Sequence, residues 1–293
     1  MLNSPLVSVL MTAYNREKYI AEAIESVLAS TYQNWELIIV DDRSKDRTVE
    51  IAKSYEAKDE RIKVYINEKN LGDYPNRNHA ASYAKGKYLK YVDADDLIYP
   101  YGLEQLVFYM EQFPDAAYGL CSLPQDDVQI YPFMLSPKQA YYRHYFTNKW
   151  IFHKAPLSSI IKKDFFDKVG GFTGKRMVGD FEMWNILSQK YNVVLMPAGI
   201  VWYREHNEGE MQYARDNVFQ MFEYLLTEYE VLNKDNCPLS EKDKIKAQKK
   251  CLRKQARYIL RHLKSHGIKT AIELQKKSDL NFIQVFVKAF QKI

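Results

Sequence analysis

Three carboxylates stand within four residues, at Asp93, Asp95 and Asp96, directly after a short apolar run. Carboxylates this close repel one another, and a bound divalent cation relieves that repulsion. Their hard oxygen atoms suit Mg²⁺ or Mn²⁺, which usually also bind the phosphates of a substrate. The alternative is a solvated acidic turn that caps a helix, and the motif alone leaves both interpretations open.

Two other polar segments also follow apolar runs. Asp41 and Asp42 close one run, where a carboxylate can accept hydrogen bonds from a base or a ribose, or can cap a helix. Thr12 and Tyr14 lie in the loop after the first run, where the tyrosine ring could stack on a base. These types of side chain indicate a nucleotide, with helix capping as the alternative.

Two later segments carry groups that could transfer a proton or hold a metal. Asp180 and Glu182 are two residues apart on a predicted helix, so they point in different directions, and one of them could be a general base. The alternative is favourable negative charge at a helix N-terminus. His206 could bind a metal or a phosphate, or could be an ordinary surface histidine.

The elements that position these residues alternate between two hydrophobic periods. Helices are predicted between the strands: one capped by Asn15, one capped by Ser44 or Asp46, and one closed by Gly86. Short links between strands and helices predict a parallel, doubly wound α/β sheet, whose ligands bind beyond the carboxyl ends of the strands. The predicted strands are residues 7–11, 36–40, 62–66 and 88–92, with further ones near 119–122, 160–162 and 193–196.

Composition narrows the class of protein. The three cysteines, Cys121, Cys237 and Cys251, form no CxxC pair, which argues against a disulfide framework or a zinc site and fits a reducing cytosol. We find no signal-peptide pattern and no apolar stretch of the ~20 residues that a membrane span needs. We therefore expect a cytoplasmic protein, soluble or peripheral on the inner face of a membrane.

The net charge of +5 is unevenly distributed. Residues 241–293 contain 15 Lys and Arg against 4 Asp and Glu, so the basic character belongs to the C-terminal region. Two apolar faces are interleaved with these charges, and they predict either packing on the rest of the chain or on a second copy, or contact with an anionic membrane. Nucleic acid explains the charge less well, because no binding motif accompanies it. The first face consists of Leu252, Ala256, Ile259, Leu260 and Leu263, and the second of Phe282, Ile283, Phe286 and Phe290.

Taken together, the segments VSVLMTAYN, ELIIVDDRSKDRT, NRNHAASYAKGKYLKYVDADDLIYP and GDFEMW resemble the family 2 glycosyltransferases of the GT-A fold. The resemblance covers about residues 5–210. It implies a GT-A domain over residues 1–215, with a donor half to about residue 100 and an acceptor half beyond it. A basic helical region would follow over residues 216–293.

The resemblance also implies roles for individual residues. Asp180 would be the base that deprotonates the acceptor hydroxyl, with Glu182 as a second candidate. Gly179 departs from the Glu-Asp pair of many members. Asp95 would hold Mn²⁺ or Mg²⁺ at the donor diphosphate, Asp96 would assist it, and His206 would complete either the metal site or the diphosphate site. The donor would be bound by Thr12, Tyr14, Asp42, Arg77 and Asp93.

The activity implied is inverting transfer of a sugar from a nucleotide-sugar to a glycan or lipid-linked acceptor. UDP is the expected nucleotide, with dTDP and GDP as alternatives. A nucleotidyltransferase would need a glycine-rich loop after the first strand, and residues 12–16 contain no glycine. No GxxxxGK[ST] motif is present, which excludes a P-loop NTPase. A binding module that has lost its chemistry is the remaining alternative, but all the acidic positions are retained.

Overall fold

The computed structural model describes residues 4–206 and 217–291. Its strands are β1 (Val7–Ala13), β2 (Trp35–Asp41), β3 (Ile62–Ile66), β4 (Tyr88–Tyr91), β5 (Leu97–Ile98), β6 (Ala116–Leu123), β7 (Phe133–Leu135), β8 (Ser159–Lys162), β9 (Asn192–Pro197) and β10 (Val201–Trp202). Its helices are α1 (Ile20–Leu28), α2 (Thr48–Glu56), α3 (Asp73–Ser82), α4 (Gly102–Glu111), α5 (Pro137–Phe146), α6 (Lys163–Val169), α7 (Gly179–Lys190), α8 (Val218–Asn233), α9 (Glu241–Lys277) and α10 (Phe282–Phe290).

Eight strands form one sheet in the order β3-β2-β1-β4-β8-β6-β9-β7. The first four are mutually parallel, while β8 runs antiparallel to both β4 and β6. The pair β6 and β9 is parallel again, and β7 closes the edge antiparallel to β9. The predicted α/β class with a largely parallel sheet is confirmed. Two short strands, β5 and β10, pair separately.

The core of the sheet follows directly from the apolar runs. In β1, every side chain except the half-buried Thr12 is buried, as expected of a strand covered on both faces. Helix α1 packs against this sheet through Ile20, Ala23, Ile24 and Val27, which are fully buried. The strands are therefore held in a buried apolar core, and the residues at their carboxyl ends extend beyond it.

Two predicted helix boundaries are wrong for the same reason. Asn15 does not cap α1: it has a positive φ of 53°, and its side-chain oxygen accepts a hydrogen bond from the Lys45 backbone. Gly86 does not close α3, which ends at Ser82. A Cβ at Gly86 would lie 2.7 Å from backbone atoms of the strand β1 region, so close packing explains this glycine. Both residues make contacts with distant parts of the chain, and these contacts replace the helix-capping roles that local sequence predicted.

By their contacts, the residues form two compact units, Met1–Ala140 with Ile151–Glu205, and Tyr141–Trp150 with His206–Ile293. The first contains the sheet. The predicted boundary near residue 215 falls in 207–216, outside the described residues, so the division at that point stays a prediction.

The second unit is helical and has its own core. Phe222, Ile259, Leu274 and Val285 are among the buried side chains that join α8, α9 and α10. Gly267 interrupts α9 with φ 80° and ψ 178°, a conformation that a residue with a Cβ adopts only with strain. Within residues 4–206 and 217–291, no helix is both long and apolar enough to cross a membrane.

Candidate active site

The polar segments meet because β1 lies between β2 and β4, and all three strands are parallel. Their carboxyl ends therefore share one edge of the sheet, where ligands bind in such folds. Thr12, at the end of β1, donates a hydrogen bond from Oγ1 to Asp93 Oδ1 at 3.4 Å, across a sequence separation of 81 residues. Strand order thus brings Thr12 and Asp93, two of the residues predicted to bind the donor, to the same edge of the sheet.

Arg77 projects from α3 and holds Asp93 with two hydrogen bonds. Its Nη1 and Nη2 donate to Asp93 Oδ1 and Oδ2 at 2.6 and 3.0 Å, and its Nε donates to Asp73 Oδ1 at 2.8 Å. Burial alone would lower the pKa of Arg77, but Asp73 and Asp93 raise that pKa well above its ordinary value. The pair is a fixed, charged clamp, since a guanidinium and a carboxylate match in planar geometry.

Asp95 faces a second arginine. Arg16 Nε donates to Asp95 Oδ2 at 2.8 Å, and both side chains are partly exposed. The positive φ of Asn15 turns the loop after β1, and Arg16 Nη1 also donates to the carbonyl oxygens of Tyr14 and Asn15. A cation therefore already lies against the carboxylate that was predicted to hold a metal.

Asp96 lies deeper than its neighbours and is only 2% exposed. Burial raises its pKa to about 8, with a further contribution from Asp93, while a hydrogen bond from the Arg204 backbone opposes the shift. That N–H donates to Asp96 Oδ1 at 2.8 Å, and Arg204 Nε donates to the Asp95 carbonyl oxygen at 2.9 Å. These contacts tie the segment after β10 to the acidic turn.

A divalent metal would need ligands from outside these side chains. Among the residues that the structure describes, no group of three or more His, Cys, Asp or Glu is placed to hold a metal ion. Asp95 alone still fits Mg²⁺ or Mn²⁺, because such sites often combine one or two carboxylates with water and substrate phosphate oxygens. His206 opens the second unit, and its part in a metal site, like that of Asp96, stays a prediction.

Asp42 is buried and is surrounded by donors. Its carboxylate accepts hydrogen bonds from Asn67 Nδ2, from Leu71 N and from Gly72 N, at 2.7, 2.7 and 2.8 Å. These bonds fix the loop that leads into α3. Tyr14, in contrast, is 42% exposed, as a stacking platform for a base would be. The contact of either residue with a nucleotide stays a prediction.

Asp180 stands in the first turn of α7, where its Oδ1 accepts a hydrogen bond from the Phe181 backbone at 2.6 Å. Burial raises the pKa of Asp180 to about 7, and hydrogen bonds from Phe181 and the Tyr74 hydroxyl act in the opposite direction. A carboxyl group with a pKa near neutrality can accept and release a proton at physiological pH. The raised pKa is compatible with a general base, and the role of Asp180 stays a prediction.

Glu182 has different surroundings. It is buried, and its carboxylate accepts a hydrogen bond from the Thr173 hydroxyl and pairs with Lys175 Nζ at 3.2 Å. Both partners belong to the loop before α7. The two acidic residues of this helix thus contact different parts of the fold, as their spacing predicted, and Glu182 fastens a loop.

Sequence reasoning gave no individual role to three residues that the structure places here: Arg16, Arg204 and Tyr74. Arg16 could have been noticed as a cation at a strand end beside predicted carboxylates. Tyr74 had no such signal. Its ring lies 2.7 Å from where a Cβ on Gly179 would be, which explains in steric terms why glycine precedes Asp180 in this chain.

The fold is an α/β domain with a polar site at the carboxyl edge of its parallel strands, and comparison with known proteins gives the family. The model of Glycosyl transferase family 2 matches residues 8–170, and the chain belongs to that family. The chain spans only 35% to 56% of the length of the first curated relatives that it matches.

Three relatives illustrate the range. The UDP-Glc:α-D-GlcNAc-diphosphoundecaprenol β-1,3-glucosyltransferase WfgD of Escherichia coli is 42% identical over 105 residues, covering 36% of this chain and 41% of WfgD. TarS 1–349 of S. aureus, solved with UDP-GlcNAc, has a TM-score of 0.65 at 23% identity, over 88% of this chain and 72% of that one. Mannosyltransferase PcManGT of Pyrobaculum calidifontis, solved with GDP-Man and Mn²⁺, has a TM-score of 0.66 at 15% identity, over 98% and 84%. The predicted GT-A fold with a C-terminal helical region is confirmed.

Proposed function

We propose that this protein is an inverting glycosyltransferase that moves a sugar from a UDP-sugar to an acceptor hydroxyl in surface glycan synthesis. The observation that carries the proposal is the assembly of Arg77, Asp93 and Asp95 at the carboxyl edge of the parallel strands. The UDP donor is supported by WfgD, named for UDP-Glc, and by TarS, solved with UDP-GlcNAc.

In this proposal the donor half binds the nucleotide. Tyr14 stacks on the base and Asp42 accepts a hydrogen bond from it through its remaining lone pair, while Asp93 contacts the ribose. Thr12 lines the same pocket. Arg77 holds Asp93 in place and adds positive charge near the diphosphate, which stabilises a departing nucleoside diphosphate.

Asp95, assisted by Asp96 and His206, would hold Mn²⁺ or Mg²⁺ at the diphosphate. When bound, such a metal polarises the diphosphate and stabilises its negative charge as it leaves. PcManGT was solved with Mn²⁺, which supports the choice of metal. Arg16 lies on the same carboxylate and keeps it neutralised before substrate arrives.

On the acceptor side, Asp180 takes the proton of the attacking hydroxyl, because its raised pKa suits a general base at neutral pH. The hydroxyl attacks the anomeric carbon opposite the nucleotide, and one displacement inverts the configuration. Glu182, the second candidate, is occupied by Thr173 and Lys175, so we assign it to positioning.

The deciding experiment incubates the full chain with UDP-Glc, UDP-GlcNAc or GDP-Man, with and without Mn²⁺, and identifies the released product. Nucleoside diphosphate is expected, with release reduced in Asp180→Asn and stimulated by Mn²⁺. Sugar 1-phosphate would instead identify a nucleotidyltransferase, because transfer of the nucleoside monophosphate group breaks the diphosphate bond and leaves the second phosphate on the sugar. Donor binding without any turnover, across a set of glycan acceptors, would favour the inactive sugar-nucleotide-binding module.

We also propose where the reaction takes place. The acceptor of WfgD is named as a diphosphoundecaprenol-linked sugar, and the basic excess of residues 241–293 suits an anionic surface. We place the protein in the cytoplasm, peripheral on the inner membrane face, acting on a lipid-linked glycan. A homodimer built through the C-terminal region is the competing use of the same residues.

A further inference from the structure

The structure separates the two apolar faces of the C-terminal region. The first face, on α9, is inside the helical unit: Ala256 and Ile259 are buried, and Leu252, Leu260 and Leu263 pack against the same core. The second face, on α10, is not. Its residues are exposed, from 46% at Phe282 to 77% at Phe290.

Helix α10 is apolar on two sides. Val285 and Ala289 point into the core of the unit and are buried. Five other side chains share a separate arc of about 140°, at the 100° per residue of an α-helix. This exposed stripe consists of Phe282, Ile283, Phe286, Val287 and Phe290. Three phenylalanines on one open helix face form a contiguous apolar patch, which marks an interaction site.

A second stripe, of opposite character, runs along α9. No acidic residue occurs between Asp243 and Glu273. Within this stretch six basic residues recur every three or four positions, so they lie on one face of the helix. This basic stripe consists of Lys246, Lys250, Arg253, Arg257, Arg261 and Lys264. Arg257 Nε donates to the Ala289 carbonyl oxygen at 3.0 Å, so the basic stripe meets the C-terminal end of α10.

We propose that these two stripes form a surface that docks on an anionic lipid bilayer, with α10 lying in the interface. The phenylalanine side of α10 enters the boundary between headgroups and acyl chains, and the basic stripe of α9 neutralises lipid headgroups. This deepens the proposed function, since it names the surface that would bring the site to a lipid-linked acceptor.

Charge decides between a membrane and a second copy of the chain. A two-fold interface is self-complementary, so pairing through this surface would bring two basic stripes towards each other. Like charges oppose that contact, whereas an anionic bilayer attracts both the charge and the apolar stripe. A polyanion such as nucleic acid would satisfy the basic stripe but leave the phenylalanines exposed.

The test is co-sedimentation of the full chain with vesicles of phosphatidylglycerol and phosphatidylcholine, against phosphatidylcholine alone. We expect binding to the anionic vesicles that weakens with salt. Phe286→Ser with Phe290→Ser, and separately Arg261→Gln with Lys264→Gln, should each lower the partition coefficient at least tenfold. All four side chains are exposed, so folding should be retained.

Matched controls change exposed residues of the other unit: Val128→Ser with Ile130→Ser, and Lys58→Gln with Lys63→Gln, all of which should bind normally. Protein left in the supernatant at low salt, or binding that the phenylalanine variants retain, overturns the proposal. So does a dimer in analytical ultracentrifugation that those variants dissociate. Donor binding, followed by thermal shift with UDP-sugars and Mn²⁺, should be unchanged in the variants. If the unmodified protein binds no UDP-sugar in this assay, that result counts against the proposed function and not against the membrane surface.

Discussion

Asp180 is the residue whose environment makes the sharpest prediction. Asp180→Asn should keep donor binding and lower transfer by roughly 10²–10⁴-fold, the usual contribution of a positioned general base. Because burial raises the pKa of Asp180 to about 7, the carboxylate form grows as pH rises through that value. The rate of transfer should therefore rise with pH up to about 7 and then level off.

The measurement is a pH profile of kcat for both proteins, with Glu182→Gln as the comparison. Glu182 contacts the loop before α7, so its variant should keep the same limb near pH 7. A crippled Glu182→Gln beside a nearly normal Asp180→Asn would reverse the assignment.

The same raised pKa has a consequence for stability. A carboxyl group that binds its proton more tightly in the folded state destabilises the fold as pH rises from its unfolded pKa to its folded one. For Asp180 that window runs from about 4 to about 7. Asp180→Asn should therefore have a Tm equal to the parent near pH 4 and higher at pH 8, measured by calorimetry. A variant that is less stable at pH 8 would contradict this.

Tyr74 should tune Asp180 through its hydroxyl. That hydrogen bond lowers the pKa of the Asp180 carboxyl, so Tyr74→Phe should move the limb of the pH profile to higher pH. The ring itself stays packed between Phe172 and Arg77, and stability should change little. Tyr109→Phe, at a partly buried tyrosine that packs against the core of the sheet, is the control. An unmoved limb would mean that Tyr74 acts only by packing.

Asp95 can be tested through binding alone. Asp95→Ala should abolish the Mn²⁺-dependent part of UDP-sugar binding, because the remaining carboxylates are held by Arg77 and by the Arg204 backbone. Isothermal titration with and without Mn²⁺ measures this. Asp59→Ala is a matched control, since that aspartate is also paired with an arginine, at 2.7 Å, away from the site. An unchanged metal response in Asp95→Ala would refute the assignment.

At the scale of elements, the long strands could be predicted and the short ones could not. β2 and β9 are mostly buried apolar runs, and β3 alternates buried and exposed side chains over its first residues. These signals are local, and each of the three strands lies within a residue or two of its prediction. β5, β7 and β10 have only two or three residues each. They exist because a partner strand is present, and sequence periodicity cannot register so short a run.

Gly86 provides a test at this scale, because it lies just before β4 and packs directly against the backbone at the start of β1. An added Cβ would lie 2.7 Å from Leu6 O and Ser8 N, and backbone cannot move aside easily. Gly86→Ala should therefore destabilise the fold by about 1–3 kcal/mol, as overpacking does. Chemical denaturation measures this, with Lys85→Ala, its exposed neighbour, as the control. Equal stability of the two variants would show that the strands can part there.

At the scale of the whole molecule, the edge of the sheet where the site lies could be predicted from the sequence, but the side-chain contacts within the site could not. Parallel strands bring Thr12 and Asp93 together by topology, which a pattern of strands and helices predicts. The Arg16–Asp95 pair and the packing of Tyr74 on Gly179 join residues far apart in sequence. Those contacts depend on side-chain directions that no periodicity records. Burial of one C-terminal apolar face and exposure of the other depend likewise on helix packing.

The strand order also determines when each strand can pair while the chain is being synthesised on the ribosome. Strands β3, β2, β1 and β4 are adjacent in the sheet, and of these four only β4 pairs with a strand made later, β8. The parallel half can therefore form once residue 91 has emerged from the ribosome. The outer edge of β4 must wait for β8, which is made roughly 70 residues later, on the order of several seconds at usual elongation rates. During that interval the nascent chain presents an open, apolar strand edge, a template for wrong pairing. Slow codons or release between residues 91 and 159 should therefore cost soluble yield even when every residue of the site is correct.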